Sequence, residues 1–431
     1  MLARFLTFWH AVRASLWALP IAAVLLAAIL AGGASLVRIA DKDNPAWYLF
    51  SGDAGDVSSF LANLTTAMMT LATLVISITM VVLTLAAQQL GPRLIVSFMS
   101  DRKTQAALAL FVGTAAYLLI LLRISSGFPG GASNLALTFA SLLVGFSVLA
   151  LPIFVHHLAR SIVADNVIQR VGATLDEAVR RALPGKRTDG FDARLWEARE
   201  SDAPVRFSGG GYIQFIDSDR LVAAATDNNA LIILKHRAGQ HVLPGSVCAR
   251  VRPGLALTDD LQKSIEQSVL FGPERTPVQD LEFSLHQLVE VGVRALSPGQ
   301  NDPNTAIAVI DRIALSLRLM MDCAPPRTAW RDDKKTVRLL VPVSTFEGLL
   351  DAAFEQLRQY TAGHPAVLIR LAEKLAQLRE SADAERRPAI EKQLQLVLAA
   401  GRRSIEEPAD CADLEQRVAA ALEEKTTVPP V

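Results

Sequence analysis

The chain has 431 residues, and its 43 Lys and Arg balance its 43 Asp and Glu, so the net charge is zero. This balance lacks the basic excess of nucleic-acid-binding proteins, and we expect no nucleic-acid partner. The charges are unevenly placed: residues 1–159 hold 8 Lys/Arg and 5 Asp/Glu, whereas residues 160–431 hold the other 35 and 38. The division predicts an N-terminal membrane domain followed by a water-soluble part.

Four stretches of the first 159 residues carry no charge: Ala14–Val37, Val57–Pro92, Thr104–Leu122 and Ile124–Ala159. Each holds the roughly 20 residues that a spanning helix needs. They predict a four-helix transmembrane domain over residues 1–159, with spans at about 15–37, 62–88, 104–122 and 134–156. The first stretch resembles a secretory signal, but it is long for a signal core and three more spans follow, so we expect a retained helix.

Basic residues in the short loops predict the orientation. One side carries Arg4, Arg13, Arg93, Arg102, Lys103, Arg160 and Arg170. The other side carries Arg38, Lys42 and Arg123, diluted by Asp41, Asp43, Asp53 and Asp56. The bias predicts a multi-pass protein of the bacterial inner membrane, with both termini and the soluble part in the cytoplasm.

Six polar residues form a stripe along one face of the second span. It consists of Thr66, Thr70, Thr73, Ser77, Thr84 and Gln88. At 100° per residue these positions fall within roughly 60° of each other. A polar stripe on a spanning helix is expected to face protein or water rather than lipid. It indicates either the lining of a path for ions or small solutes, or contacts between packed helices.

The soluble part divides into three segments by composition. Residues 160–208 read as a connecting helix and linker, residues 209–252 as a small β-rich module, and residues 253–425 as a mostly helical domain. The run Ala238–Val251 resembles half of a barrel-sandwich of the lipoyl type, in which a lysine at a hairpin tip carries the cofactor. Because Lys235 follows a strand end instead, we expect a structural module without cofactor. The fold class is therefore α-helical membrane domain plus cytoplasmic mixed α/β domain.

A helix stop and restart interrupts the helical part. Ser297-Pro298-Gly299 ends one helix, and Asp302 is placed to cap the next, with Pro303 at its first position. We expect the carboxylate to bond the amide of Asn304 or Thr305. Candidate residues for a ligand site or a subunit contact here are His286, Glu290, Arg294, Asn301 and Asp302, with Asp311 and Arg312 nearby in sequence. The alternative is a Glu290–Arg294 pair within one helix and an ordinary cap.

The stretch Ala295–Ala306, ALSPGQNDPNTA, resembles the ALSPGxNDPxTA motif of an uncharacterised family of predicted bacterial membrane proteins, a domain of unknown function. Three other segments are similar to that family: Ser77–Arg93, Asp101–Arg123 and Gly211–Asp217. The resemblance covers roughly residues 15–400 and departs at Gln300, where an apolar residue is expected. It implies the membrane topology, and it supplies no reaction, ligand or catalytic residue.

No catalytic, nucleotide-binding or metal motif is found in the sequence. The three cysteines lie far apart and are expected to be reduced thiols, and His156-His157 point to different sides of a helix, so we expect no metal or cofactor. An enzyme is the least favoured class. The sequence favours a homo-oligomeric channel or passive transporter in the lipid bilayer, and the alternative is a membrane scaffold whose soluble domain recruits a partner.

Overall fold

A computed structural model describes residues 15–36, 54–91, 94–127, 133–183, 193–324 and 326–423. The chain forms two compact units, Met1–Asn166 and Val167–Val431, which we call the N-terminal and C-terminal units. Several charged residues behind the orientation prediction lie outside the described residues: Arg4, Arg13, Arg38, Asp41, Lys42, Asp43, Asp53 and Arg93.

The described part of the N-terminal unit is helical. Its elements are α1 Ala18–Leu36, α2 Ala54–Leu90, α3 Ile95–Met99, α4 Arg102–Gly127 and α5 Asn134–Ser161. Three segments are long and apolar enough to cross a membrane: Gly55–Leu90, Arg102–Ser126 and Asn134–Ser161. The apolar helix at Ala18–Ala34 is shorter. The structure therefore confirms membrane-capable helices at three of the four expected spans, and the first remains a shorter apolar helix.

Helix α4 is the central helix of this unit. Its side chains Phe111, Leu118 and Leu121 are fully buried, among neighbours from α1, α2 and α5. Gly113 lets α1 approach closely, because a Cβ at this position would lie 3.1 Å from the Ala23 Cβ. The close approach of small residues is the usual way in which membrane helices gain packing contacts. At Gly145 on α5, by contrast, an added Cβ would have no atom within 4 Å.

Helix α6, Ala164–Ala182, begins the connection to the C-terminal unit. The sequence predicts a helix over 161–184 that continues from the last membrane span, but α5 ends at Ser161 and α6 starts three residues later. At this break the side-chain amide of Asn166 donates to the Arg160 carbonyl at 2.9 Å, which satisfies one of the carbonyls at the end of α5. Along α6, Val167, Ile168, Val171, Leu175 and Val179 form a buried apolar face.

Two sheets form the next layer of the C-terminal unit. The strands are β1 Ala203–Arg206, β2 Gly211–Ile216, β3 Leu231–Leu234, β4 His241–Val242, β5 Val247–Arg252, β6 Val269–Gly272, β7 Ala329–Arg331 and β8 Val337–Leu340. One sheet has the order β1-β5-β3-β8-β7 and the other β4-β2-β6. Only β3 and β8 pair in parallel among the described strands. Helices α7 Ser218–Asp227 and α8 Asp259–Gln267 contribute Leu221 and Ile265 to the shared core.

The run Thr336–Val341 predicts one isolated strand within the helical region, and it forms β8, Val337–Leu340, which is not isolated. It crosses over from the helical region to lie between β3 and β7. The β-rich segment 209–252 therefore shares both of its sheets with strands outside it, and the barrel-sandwich likeness is not confirmed.

The rest of the C-terminal unit is helical, as predicted. Its helices are α9 Leu281–Ala295, α10 Pro303–Asp322, α11 Phe346–Gln359, α12 Pro365–Glu380, α13 Arg387–Ser404 and α14 Pro408–Leu422. Leu368, Leu371, Leu375 and Leu378 of α12 are all buried, because their spacing of three and four keeps them on one face.

Candidate functional site

The six-residue polar stripe on α2 is exposed along its whole length. The face of α2 that packs inside the bundle is formed by Leu61, Met68, Ala72 and Val75, which are almost fully buried. At 100° per residue this buried face lies about 150° around the helix from the stripe. The stripe therefore points away from the described neighbouring helices of the N-terminal unit and does not face the interior of this bundle.

Most hydroxyls of the stripe have a hydrogen-bond partner on their own helix. Thr66, Thr70, Thr73 and Thr84 each donate to the carbonyl oxygen four residues earlier, all at 2.9 Å. Such bonds lower the cost of placing a hydroxyl in an apolar environment. The oxygen lone pairs remain available to a partner helix, a solute or water.

The inner polar contacts of the bundle were missed by the sequence reasoning. Thr114 of α4 and Ser147 of α5 lie with their hydroxyl oxygens 3.2 Å apart, and both residues are almost fully buried. Buried Thr65 and Thr79 on α2 bond their own helix. The helical period places them roughly 110–150° from the stripe, but it does not show which of the two sides faces the bundle.

Asp101 and His157 join α4 to α5 at one end of the bundle. The His157 Nε2 lies 2.6 Å from the Asp101 carboxylate, which also accepts the Thr104 hydroxyl at 2.9 Å. Asp101 thus bonds both the first turn of α4 and the last turns of α5. The pair joins residues 56 positions apart, so the sequence offers no local signal for it.

On α9, the three candidate side chains follow one helix face. Glu290 and Arg294 form an ion pair of 3.6 Å, and His286 lies one turn earlier. All three are half-buried. The same i, i+4 spacing extends back to Glu282, which the sequence analysis did not single out although the spacing could have indicated it.

Glu282 is the centre of a buried ionic cluster. Its carboxylate accepts bonds from Arg237 and from the Ser344 hydroxyl, and it lies 3.6 Å from Arg275. Arg275 also donates to Asp280 at 2.7 Å, while Asp280 caps α9 by accepting the Glu282 amide. Two arginines and two carboxylates neutralise each other here, so the cluster joins the sheet region to α9 without a net charge.

The loop between α9 and α10 has the geometry predicted for it. The Asp302 carboxylate accepts the Thr305 amide at 3.1 Å and the Thr305 hydroxyl at 2.6 Å. The Asp302 amide donates to the Ala295 carbonyl at 2.8 Å, which returns the chain to the end of α9. Asn301 has φ of 47°, a left-handed conformation that asparagine tolerates better than most residues. The predicted cap is confirmed.

Asp311 and Arg312 do not join the loop. Asp311 binds Arg370 of α12 through both oxygens, at 2.8 and 2.7 Å. Arg312 is buried and donates to Asp176 of α6 at 2.6 Å and to Ser316 at 2.8 Å. Gly172 makes room for it, because a Cβ there would lie 2.0 Å from the Arg312 Nε. These two residues therefore hold α10 to two different helices.

Comparison with known proteins agrees with the resemblance read from the sequence. The family described as "Predicted membrane protein (DUF2254)" matches residues 13–377. The chain is 30% identical over 412 residues to the uncharacterized protein Mb1321c of Mycobacterium bovis and, equally, to the uncharacterized protein Rv1290c of Mycobacterium tuberculosis. Each alignment covers 93% of this chain and 78% of the relative. No solved structure matches the chain. The chain belongs to the DUF2254 family of predicted membrane proteins.

Proposed function

We propose that the protein is a homo-oligomeric channel or passive transporter for ions or small solutes, in which α2 helices of several copies surround the path. The exposed polar stripe of α2 carries this proposal. Six polar residues without a charge point away from the chain's own bundle over about six helical turns. A monomer would turn this stripe toward lipid, whereas a ring of copies would turn it toward a shared interior.

Orientation and span number belong to the same proposal. Gln105 of α4 donates to the Ser15 carbonyl before α1, and Ser133 before α5 donates to the Ala34 carbonyl in α1. Helix α1 therefore runs alongside the longer helices, with its start near that of α4 and its end near the start of α5. This supports four alternating spans with the N and C termini on one side. The basic residues of the short loops favour the cytoplasm for that side, and there the C-terminal unit would act as a gating domain.

The test uses single cysteines in an otherwise cysteine-free chain reconstituted in liposomes. Thr73→Cys and Ser77→Cys should react with a small water-soluble thiol reagent and reduce solute flux after modification. Leu74 lies about 100° around the helix from Thr73, on the outer surface, and Val75 lies inside the bundle. The thiols of Leu74→Cys and Val75→Cys should therefore stay unreactive. Unreactive thiols at both stripe positions, in a properly assembled oligomer, would exclude a water-filled path along α2.

A scaffold is the second candidate, and the self-bonded threonines favour it. Their hydroxyls already bond α2 carbonyls, so the stripe can pack against helices of another copy without water. In that case the α9 face of His286, Glu290 and Arg294, with the loop at Asn301 and Asp302, would serve as the contact for a partner or a second subunit. Stripe substitutions would then weaken the oligomer in detergent and leave liposomes impermeable.

A further inference from the structure

A basic patch surrounds the Asp101–His157 pair at one end of the helical bundle. We define the basic patch as Arg102 and Lys103 of α4 together with His156 and Arg160 of α5. All four residues are exposed. The 2.6 Å contact between Asp101 and His157 joins the two helix ends, so the basic residues of both segments lie at the same end of the bundle.

The carboxylate within this surface is already engaged. Asp101 accepts the Thr104 hydroxyl and contacts His157. Within the part of the chain that the structure describes, no carboxylate bonds the side chains of Arg102, Lys103 or Arg160. The patch therefore presents three permanent positive charges and an imidazole near one engaged carboxylate. Because Asp101 already caps the N-terminus of α4, the attraction for an anion comes from the side-chain charges.

The position of the patch identifies the depth at which its ligand lies. The membrane-capable segment of α4 begins at Arg102, and that of α5 ends at Ser161, one residue after Arg160. A bilayer spanned by these segments would place their ends at the level of the lipid headgroups rather than in the hydrocarbon. Basic pockets between adjacent transmembrane helices at this depth bind phosphate-bearing lipid headgroups.

We propose that the basic patch is a binding site for the phosphate of an anionic phospholipid headgroup, held between the start of α4 and the end of α5. Arg160 and Arg102 supply the planar donors that suit a phosphate, and Lys103 adds a point charge. The Asp101–His157 contact acts as the spacer that fixes the distance between the two helix ends. The site is independent of whether the protein conducts solutes.

The test measures lipid binding to the full chain in neutral detergent by native mass spectrometry. Phosphatidylglycerol is titrated against phosphatidylcholine, and the apparent affinity of the tightest lipid is compared between variants. Each of Arg102→Gln, Lys103→Gln and Arg160→Gln should weaken phosphatidylglycerol binding roughly fivefold, and the triple variant by well over tenfold, with phosphatidylcholine unaffected. Arg160→Lys, which keeps the charge, should retain most of the affinity.

The matched control is Arg123→Gln, which removes an exposed arginine near the opposite end of α4. It should change the affinity by less than about twofold, since it lies a membrane thickness away. Equal losses in the control and the triple variant would show unspecific charge attraction and would overturn the site, as would a triple variant that binds like the wild type. Displacement of the lipid by inorganic phosphate at the same concentration would overturn the assignment to a lipid. Thermal unfolding of each variant checks that it is folded.

Discussion

The cap of α10 gives a prediction whose magnitude follows from its geometry. Replacing Asp302 with alanine removes the acceptor of the Thr305 amide, 3.1 Å away, and loss of an N-cap side chain costs about 1 kcal/mol. The Thr305 hydroxyl also loses a partner. Because both residues are half-buried, water can replace that bond, so its loss should not change the free energy of unfolding. Asp302→Asn keeps an acceptor and loses only the charge beside the helix dipole, about 0.5 kcal/mol.

Hydrogen exchange read by mass spectrometry on the full chain in detergent measures this cost locally. In peptides covering 297–312, a loss of about 1 kcal/mol should raise exchange of the first turn of α10 about fivefold. Asp302→Asn should raise it about twofold. Thr305→Ala is the matched control: it removes the hydroxyl, keeps the capped amide, and should change exchange little.

Two outcomes would contradict this reasoning. Unchanged exchange in Asp302→Ala would show that the carboxylate does not hold the first turn of α10. If Asp302→Asn abolished the protein's function as fully as Asp302→Ala while exchange stayed near the wild type, the carboxylate would have a chemical role beyond capping.

Three further predictions concern other parts of the chain. Gly172→Ala should lower the free energy of unfolding of the C-terminal unit by about 2 kcal/mol or more in a denaturant titration, because the new Cβ meets the buried Arg312 guanidinium. Gly299→Ala has open space and should be nearly neutral in the same titration. The bidentate bond from Arg252 holds the pKa of Asp202 below its usual value of about 4, so this pair stabilises the fold above that pH and loses its contribution as the pH falls below it. Asp202→Asn should therefore be less stable at neutral pH and show a flatter loss of stability in acid, and an unchanged acid limb would contradict the linkage. A reporter fused to the C-terminus should behave as cytoplasmic, and periplasmic activity there would reverse the proposed orientation.

The sequence by itself determined the elements whose signals are local. Uncharged runs of sufficient length fix three membrane-capable helices, since a spanning helix needs little more than apolar length. The Leu368–Leu378 spacing fixes the buried face of α12, and Asp302-Pro303 fixes the start of α10. Each of these depends on residues within a few positions of one another, so neighbours in the chain are enough to predict them.

Only the tertiary structure decided which surfaces meet. The helical period of α2 separates the polar stripe from Thr65 and Thr79, but it does not show which side faces the bundle. Both sets consist mainly of small hydroxyl side chains, so only packing decides that the stripe points outward while Thr65 and Thr79 point inward. Likewise β8 reads as an isolated strand until it pairs with β3, and Arg312 reads as part of a loop site until α6 brings Asp176 to it. These contacts join residues about 100 or more positions apart, and they depend on how the helices and strands stack, which no short-range pattern of the sequence encodes.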